Sequence, residues 1–295
     1  MPKMRVSGFT IIRDGVRLGY PFVESIKSLL PLVDELIVNV GDCTDTTMDE
    51  LRSIDTDKLV IFETPWDPAM QQAGEVMAHQ TNLALDRCTG DWCFYIQGDE
   101  VLHEADYPMI KAAMKKNLKR TKVEGLKFRY LHFRGDYNIR DSLGYRKQVR
   151  IVRNGINVRS VGDACGFGIE GRRLSTASSD ARMFHYGYVR PPQTMRAKTI
   201  QFQQFYIRDR NGDQINEVQD VHQIESADYT YDMRACVPYL GSHPSIMKEH
   251  ISAKDWETPE YIYTPLWRSR AWWLGRLRKA VGRNWSLSRL RKAAG

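Results

Sequence analysis

The chain has 295 residues, 42% of them hydrophobic and 27% charged, with a formal net charge of +7. That balance is an ordinary globular one and excludes a disordered or low-complexity chain. No apolar run approaches the roughly 18 residues of a bilayer span. The basic excess is local. Positions 266–295 carry nine Lys and Arg and no acidic residue, so the rest of the chain is close to neutral.

Five cysteines, at 43, 88, 93, 165 and 236, form no close C-x-x-C pair. The odd count and scattered spacing predict reduced thiols in a cytoplasmic protein, with neither a disulfide framework nor a zinc site. The opening M-P-K-M-R leads straight into a strand pattern, without the form of a secretory leader.

Met4 to Ile12 is rich in β-branched residues and predicts the first strand. Arg13, Asp14 and Gly15 make a loop. Leu18, Phe22, Ile26, Leu29 and Leu30 then recur at helical spacing. Glu35 to Val40 predicts a second strand, running into G-D-C-T-D-T-T at 41–47. Glycine followed by small hydroxyl and Asp residues is turn and helix-cap chemistry. Amides at such a helix start can also face an anion. Lys58 to Glu63 predicts a third strand, broken by T-P-W-D-P at 64–68, and Met70 to Arg87 has a helical pattern.

Trp92 to Ile96 is a nearly continuous apolar run, as in a buried strand, and stops at Gln97, Gly98, Asp99 and Glu100. Adjacent carboxylates after a glycine put negative charge at the carboxyl edge of a sheet, where open α/β folds bind ligands. Hard divalent cations take oxygen ligands there.

Further along, Ala105 to Leu118 predicts a helix, and Val123 to Phe133 alternates like a half-buried strand. His132 within that alternation has the setting of a structural histidine. Gly144 to Arg153 and Ile156 to Val161 predict an antiparallel pair joined by Asn154-Gly155, a strong hairpin signal. Arg182 to Val189 closes the core, and Pro191-Pro192 marks a boundary. Met195 to Tyr206 predicts a helix, Arg208 to Asp220 a polar loop, and the stretch around His243, Pro244 and Trp256 a further compact unit.

This order of elements, ending in G-D-W-C-F-Y-I-Q-G-D-E, resembles the nucleotide-sugar-dependent glycosyltransferases of family 2, which have the GT-A fold. The resemblance runs over roughly the first 190 residues and is strongest from Asp34 to Glu104. It implies an α/β protein: a Rossmann-like mixed sheet flanked by helices, with a C-terminal helical extension. Residues 1–190 would be the catalytic domain, 191–265 an acceptor-side extension, and 266–295 a basic, Trp-rich amphipathic tail.

The family's D-x-D motif has Gln97 in place of its first Asp, with Asp99 and Glu100 at the later positions. The resemblance implies donor contacts from Thr10 and Arg13 after the first strand. Asn39 or Asp42 would serve the base, Asp45 matches a later Asp of the family's turn, and Asn82 stands where an A-R-N-like cluster lies near the sugar nucleotide. Asp99 and His185, the latter in F-H-Y-G-Y-V-R, would hold a manganese or magnesium ion, with Glu100 near the donor. The family's usual His-Glu pair is not present in G-D-A-C-G-F-G at 162–168. Asp163 is therefore the candidate base for the acceptor hydroxyl.

The implied activity is transfer of a sugar from a nucleotide-diphosphate donor to a hydroxyl of a saccharide or lipid-linked glycan, with inversion. Trp, Leu and Arg in the tail suit peripheral contact with an anionic cytoplasmic membrane surface. Two other readings stay open. One is a non-catalytic scaffold that binds sugar nucleotide or glycan. The other, ranked lower because no RNA-binding module accompanies the tail, is a nucleic-acid-binding protein.

Overall fold

A computed structural model describes residues 3–208, 211–214, 229–233 and 235–258. The tail 266–295, its expected membrane contact, and most of the expected loop from Arg208 to Asp220 lie outside the described residues.

Four parallel strands form the first half of the sheet: β1 (Val6–Ile12), β2 (Glu35–Val40), β3 (Leu59–Glu63) and β4 (Trp92–Tyr95). Their order is β4-β1-β2-β3. Strands β1, β2 and β4 are buried on both faces, which explains their apolar character, while β3 is a partly exposed edge. Along β2, Leu36, Val38 and Val40 enter one core and Ile37 the other. Along β4, Trp92 and Phe94 point to the first core, Cys93 and Tyr95 to the second. Helix α1 (Phe22–Leu29) covers the first face through Phe22, Ile26 and Leu29. After the short α2 (Thr47–Arg52), α3 (Glu75–Leu85) covers the second face through Val76, Met77, Ala84 and Leu85. Helix α3 starts later than its pattern predicts, because Gly74 takes a left-handed φ of 74° immediately before it.

The sheet then turns mixed. The short β5 (Glu100–Val101) precedes α4 (Tyr107–Leu118), followed by β6 (Gly125–Arg134), β7 (Asp136–Asp141) and β8 (Lys147–Arg153). Strand β8 lies antiparallel between β4 and β6, so the path through these strands is β7-β6-β8-β4-β1-β2-β3. The long β12 (Thr176–Tyr188) pairs with both β5 and β6, and β13 (Cys236–Pro238) extends the far edge. Helices α5 (Pro192–Gln203) and α6 (Lys248–Ser252) complete the described elements. This is the expected α/β class, a mixed sheet flanked by helices. No helix among the described residues is long and apolar enough to cross a membrane.

The expected hairpin at Asn154-Gly155 does not form. Strand β9 (Arg159–Val161) leaves β8 and joins a separate three-stranded sheet with β10 (Gly166–Ile169) and β11 (Arg172–Arg173). The turn chemistry is present, but the Asn154 amide is spent on the carbonyls of Cys88 and Gly90, at 3.0 and 2.9 Å. Strand β8 is already flanked by β4 and β6, so no free edge remains for β9.

Glu124 clasps the approach to β12. Its carboxylate accepts from both Arg172 amino groups, at 2.6 and 2.9 Å, and from the Ser175 amide at 2.7 Å. The Arg172 bonds, with the Ser175 amide, pull its pKa from the ordinary 4.5 to about 2. A folded-state pKa below the unfolded one contributes stability above the unfolded value, lost as pH falls through the folded one. Thermal unfolding at stepped pH is expected to show a drop for the wild type between about 4.5 and about 2. Glu124→Gln should flatten that drop.

Candidate active site

Strand order reverses between β1 and β4, and open α/β sheets bind ligands at the carboxyl ends beside such a point. A cleft of about 380 Å³ opens there. Arg13, Tyr20, Trp66, Asp99, Asp163, His185, Lys198 and Phe205 are among its lining residues.

Asp99 is the electrostatic centre. One carboxylate oxygen, Oδ2, lies 3.3 Å from the Lys198 ammonium and 3.7 Å from the Arg190 guanidinium. The other, Oδ1, faces His185 Nε2 at 3.7 Å. Burial alone would raise the Asp99 pKa, but Lys198, His185 and Arg190 together hold it well below the carboxylate range. Burial takes His185 down to about 4, so its ring is neutral near pH 7. Burial, reinforced by Arg190, brings the Lys198 ammonium down to about 8. Lys198 also bonds the Gly187 carbonyl at 2.9 Å and sits near the rings of Tyr20, Tyr188 and Phe202.

The donor set at Asp99 and His185 fits a divalent ion. A carboxylate oxygen and a neutral imidazole nitrogen face one another across a distance that two bonds of about 2.1 Å can span. Oδ2 is held from behind by the two cations, which leaves Oδ1 for a ligand. Gly187 is what admits this arrangement. A Cβ there would lie 2.4 Å from His185 Cε1, 2.7 Å from Nε2 and 3.1 Å from Asp99 Oδ2. Gly187→Ala is expected to push the imidazole off the carboxylate and weaken binding of added manganese about 10–100-fold. Manganese titration followed by electron paramagnetic resonance, beside a melting curve, would check it.

Glu100 has a different fate. It is wholly buried and does not line the cleft. Arg150, also wholly buried, grips it through Nε at 2.9 Å and an amino group at 2.7 Å, and the Tyr130 hydroxyl donates at 2.6 Å. Arg150 further donates to Gln97 Oε1 at 3.2 Å. Gln97 is therefore a neutral acceptor for the same guanidinium.

The other candidates divide. Arg13 and Asp42 pair at 3.1 Å at the cleft rim. Arg13 stands over the Trp66 ring at 5.4 Å, and Asp42 accepts the Trp66 amide at 3.2 Å. Asp163 lines the cleft, accepting from the Tyr206 hydroxyl at 3.3 Å. Asn39 is buried between β2 and α3, bonded to Gln80 and Thr64. Asn82 exchanges two bonds with the Ser160 backbone, at 3.1 and 2.8 Å, and ties α3 to β9. Thr10 is buried within β1, and its hydroxyl has no partner among the described residues. Asp45 caps the start of α2 through Thr47 and receives the Arg17 amide.

Asp14, Cys43 and Asp45 also cluster within metal-ligand range. Their acceptors are already committed. Asp14 takes Thr44 and Arg17, Asp45 takes Thr47 and Arg17, and the Cys43 sulfur takes the Asp14 amide. Burial keeps the Cys43 thiol protonated. The cluster locks the loop after β1 onto the loop after β2.

Three contributors escaped the sequence reading: Trp66, Arg190 and Lys198. A signal existed for Lys198. It stands at i, i+4 and i+7 spacing with Phe202 and Phe205, a lysine in an apolar stripe.

No protein-family model matches the chain, and no curated protein sequence does. Solved structures of similar shape do exist. S. aureus TarS 1–349 in complex with UDP is 15% identical over 75% of this chain and 69% of that one, with a TM-score of 0.41. Mannosyltransferase PcManGT from Pyrobaculum calidifontis, with GDP-Man and Mn²⁺, is 14% identical over 68% of this chain, with a TM-score of 0.45. Glucosyl-3-phosphoglycerate synthase from Mycobacterium tuberculosis, with Mn²⁺, UDP and phosphoglyceric acid, is 18% identical over 44% of this chain, with a TM-score of 0.30. The chain spans 62% of the mannosyltransferase and 43% of the synthase.

Proposed function

We propose that the chain is a metal-dependent glycosyltransferase acting on a nucleotide-diphosphate sugar. The observation that carries the reading is the facing pair in the cleft, Asp99 Oδ1 and neutral His185 Nε2, backed by Lys198 and Arg190. A divalent ion bound by that pair would supply a Lewis acid for the diphosphate oxygens. Lys198 and Arg190 add positive charge on the same side, where negative charge grows as the diphosphate departs. Trp66, Arg13 and Asp42 offer an aromatic face, a cation and an acceptor at the rim, suited to the nucleoside. Asp163, which accepts from the Tyr206 hydroxyl, takes the acceptor hydroxyl's proton in this reading. Direct attack under these conditions inverts the anomeric centre. The acceptor is a hydroxyl of a saccharide or lipid-linked glycan, and the basic tail would bring the enzyme to an anionic cytoplasmic membrane face.

A thermal-shift screen of UDP-, GDP-, CMP- and dTDP-sugars with and without manganese tests the reading, since a ligand selective for the folded state raises its stability. A manganese-dependent rise with one donor class is expected, followed by manganese-dependent donor hydrolysis. No rise with any donor would overturn the metal-dependent reading, and a rise without hydrolysis would favour a binding scaffold.

A further inference from the structure

The face that His185 turns to Asp99 is decided one residue further back. His185 Nδ1 lies 2.9 Å from His132 Nδ1, and His132 Nε2 lies 2.9 Å from the Tyr145 carbonyl oxygen. A carbonyl only accepts, so His132 Nε2 carries its proton. The ring is buried, and no carboxylate among the described residues bonds it to hold a second proton, which leaves its Nδ1 as a bare acceptor. Two lone pairs cannot share 2.9 Å, so His185 Nδ1 must be the donor of that bond. A neutral His185 then has no proton on Nε2, the atom that faces Asp99.

We propose that His132 is a positioning residue that locks His185 in its Nδ1–H tautomer and so presents the Nε2 lone pair to the metal beside Asp99. The role deepens the transferase reading and rests on it for the identity of the ion. The ring is built to hold this pose. Tyr130 stacks on it at 5.3 Å with planes 27° apart, and Tyr145 meets it edge-on at 4.4 Å. A Cβ on Gly144 would come within 2.4 Å of its Cδ2. Strands β6 and β12 run parallel with His132 and His185 in register, so the backbone itself brings the two rings together. Outer partners of metal-binding histidines fix tautomer and orientation in this way, and losing one costs about 10–100-fold in metal affinity.

Two measurements on the full chain separate this proposal from the reading beneath it. Long-range ¹H–¹⁵N correlation spectra of ¹⁵N-histidine protein, without metal, report tautomers directly, with His185 assigned from its loss in His185→Asn. The expected result is a proton on Nδ1 of His185 and on Nε2 of His132. A proton on Nε2 of His185 would overturn the proposal. The second measurement is manganese binding by electron paramagnetic resonance, with UDP and then GDP present. His132→Phe, which keeps the ring volume but has no acceptor, should bind manganese about 10–100-fold more weakly. His132→Gln, which retains an acceptor oxygen, should recover most of that loss. Equal affinity in wild type and a folded His132→Phe would overturn the proposal. Should wild type bind no manganese, the metal-dependent function falls, and the spectra alone still decide what His132 does.

Discussion

Asp99→Asn is expected to abolish the manganese-dependent rise in melting temperature and to lower sugar transfer about a thousandfold. The substitution keeps size and shape but removes the charge that three groups share. Lys198 and Arg190 lose their common counter-ion, and His185 loses its partner across the ligand gap. A loss of about 4 kcal/mol of transition-state stabilisation corresponds to roughly three decades in rate, within what a Lewis-acid site supplies. Melting curves of both proteins with each donor and manganese, followed by product assays, make the comparison. Lys198→Met belongs beside it, since it removes one cation and leaves Asp99 and His185 in place. Transfer surviving Asp99→Asn within tenfold would show that the carboxylate is not the metal's anchor.

The second large effect is on stability. Arg150→Met is expected to cost about 3–5 kcal/mol, because it strands a carboxylate in the interior. Glu100 and Arg150 are both wholly buried, and Glu100's remaining partners are the Tyr130 hydroxyl and the Gln97 amide. Arg150→Met combined with Glu100→Leu should recover much of the loss, since replacing a buried pair with apolar groups is often close to neutral. Urea titrations of the two single variants and the double give the coupling directly. A mild Arg150→Met would mean that water reaches Glu100 in solution.

Much of the fold was legible. Strand β2 spans Glu35–Val40, the bounds expected for it, and β4 follows the apolar run that ends in the acidic turn. Local pattern suffices where one short segment carries its own period. It failed at Asn154-Gly155, where the turn residues were right but the edge β9 needed was occupied. The site divides along the same line. Asp99, His185, Asp163 and Arg13, named from different parts of the chain, line one cleft. Glu100 could not be told from Asp99 by type or position. What separates them is Arg150, fifty positions away and brought close only by the pairing of β8 with β4. His132 carried only the signature of a core histidine, and its contact with His185 depends on the β6–β12 register.

The cations at Asp99 come from either side of Pro191. Arg190 follows the end of β12, while Lys198 sits on α5, the next helix. A protein cut after residue 190 would keep every strand from β1 to β12 and lose Lys198, Phe202 and Phe205 from one wall of the cleft. Grafting the sheet onto a foreign C-terminal half would do the same. The 1–190 segment is therefore not an interchangeable cassette. Chimaeras of this chain should be joined beyond Tyr206, so that the carboxylate and both of its counter-charges are inherited together.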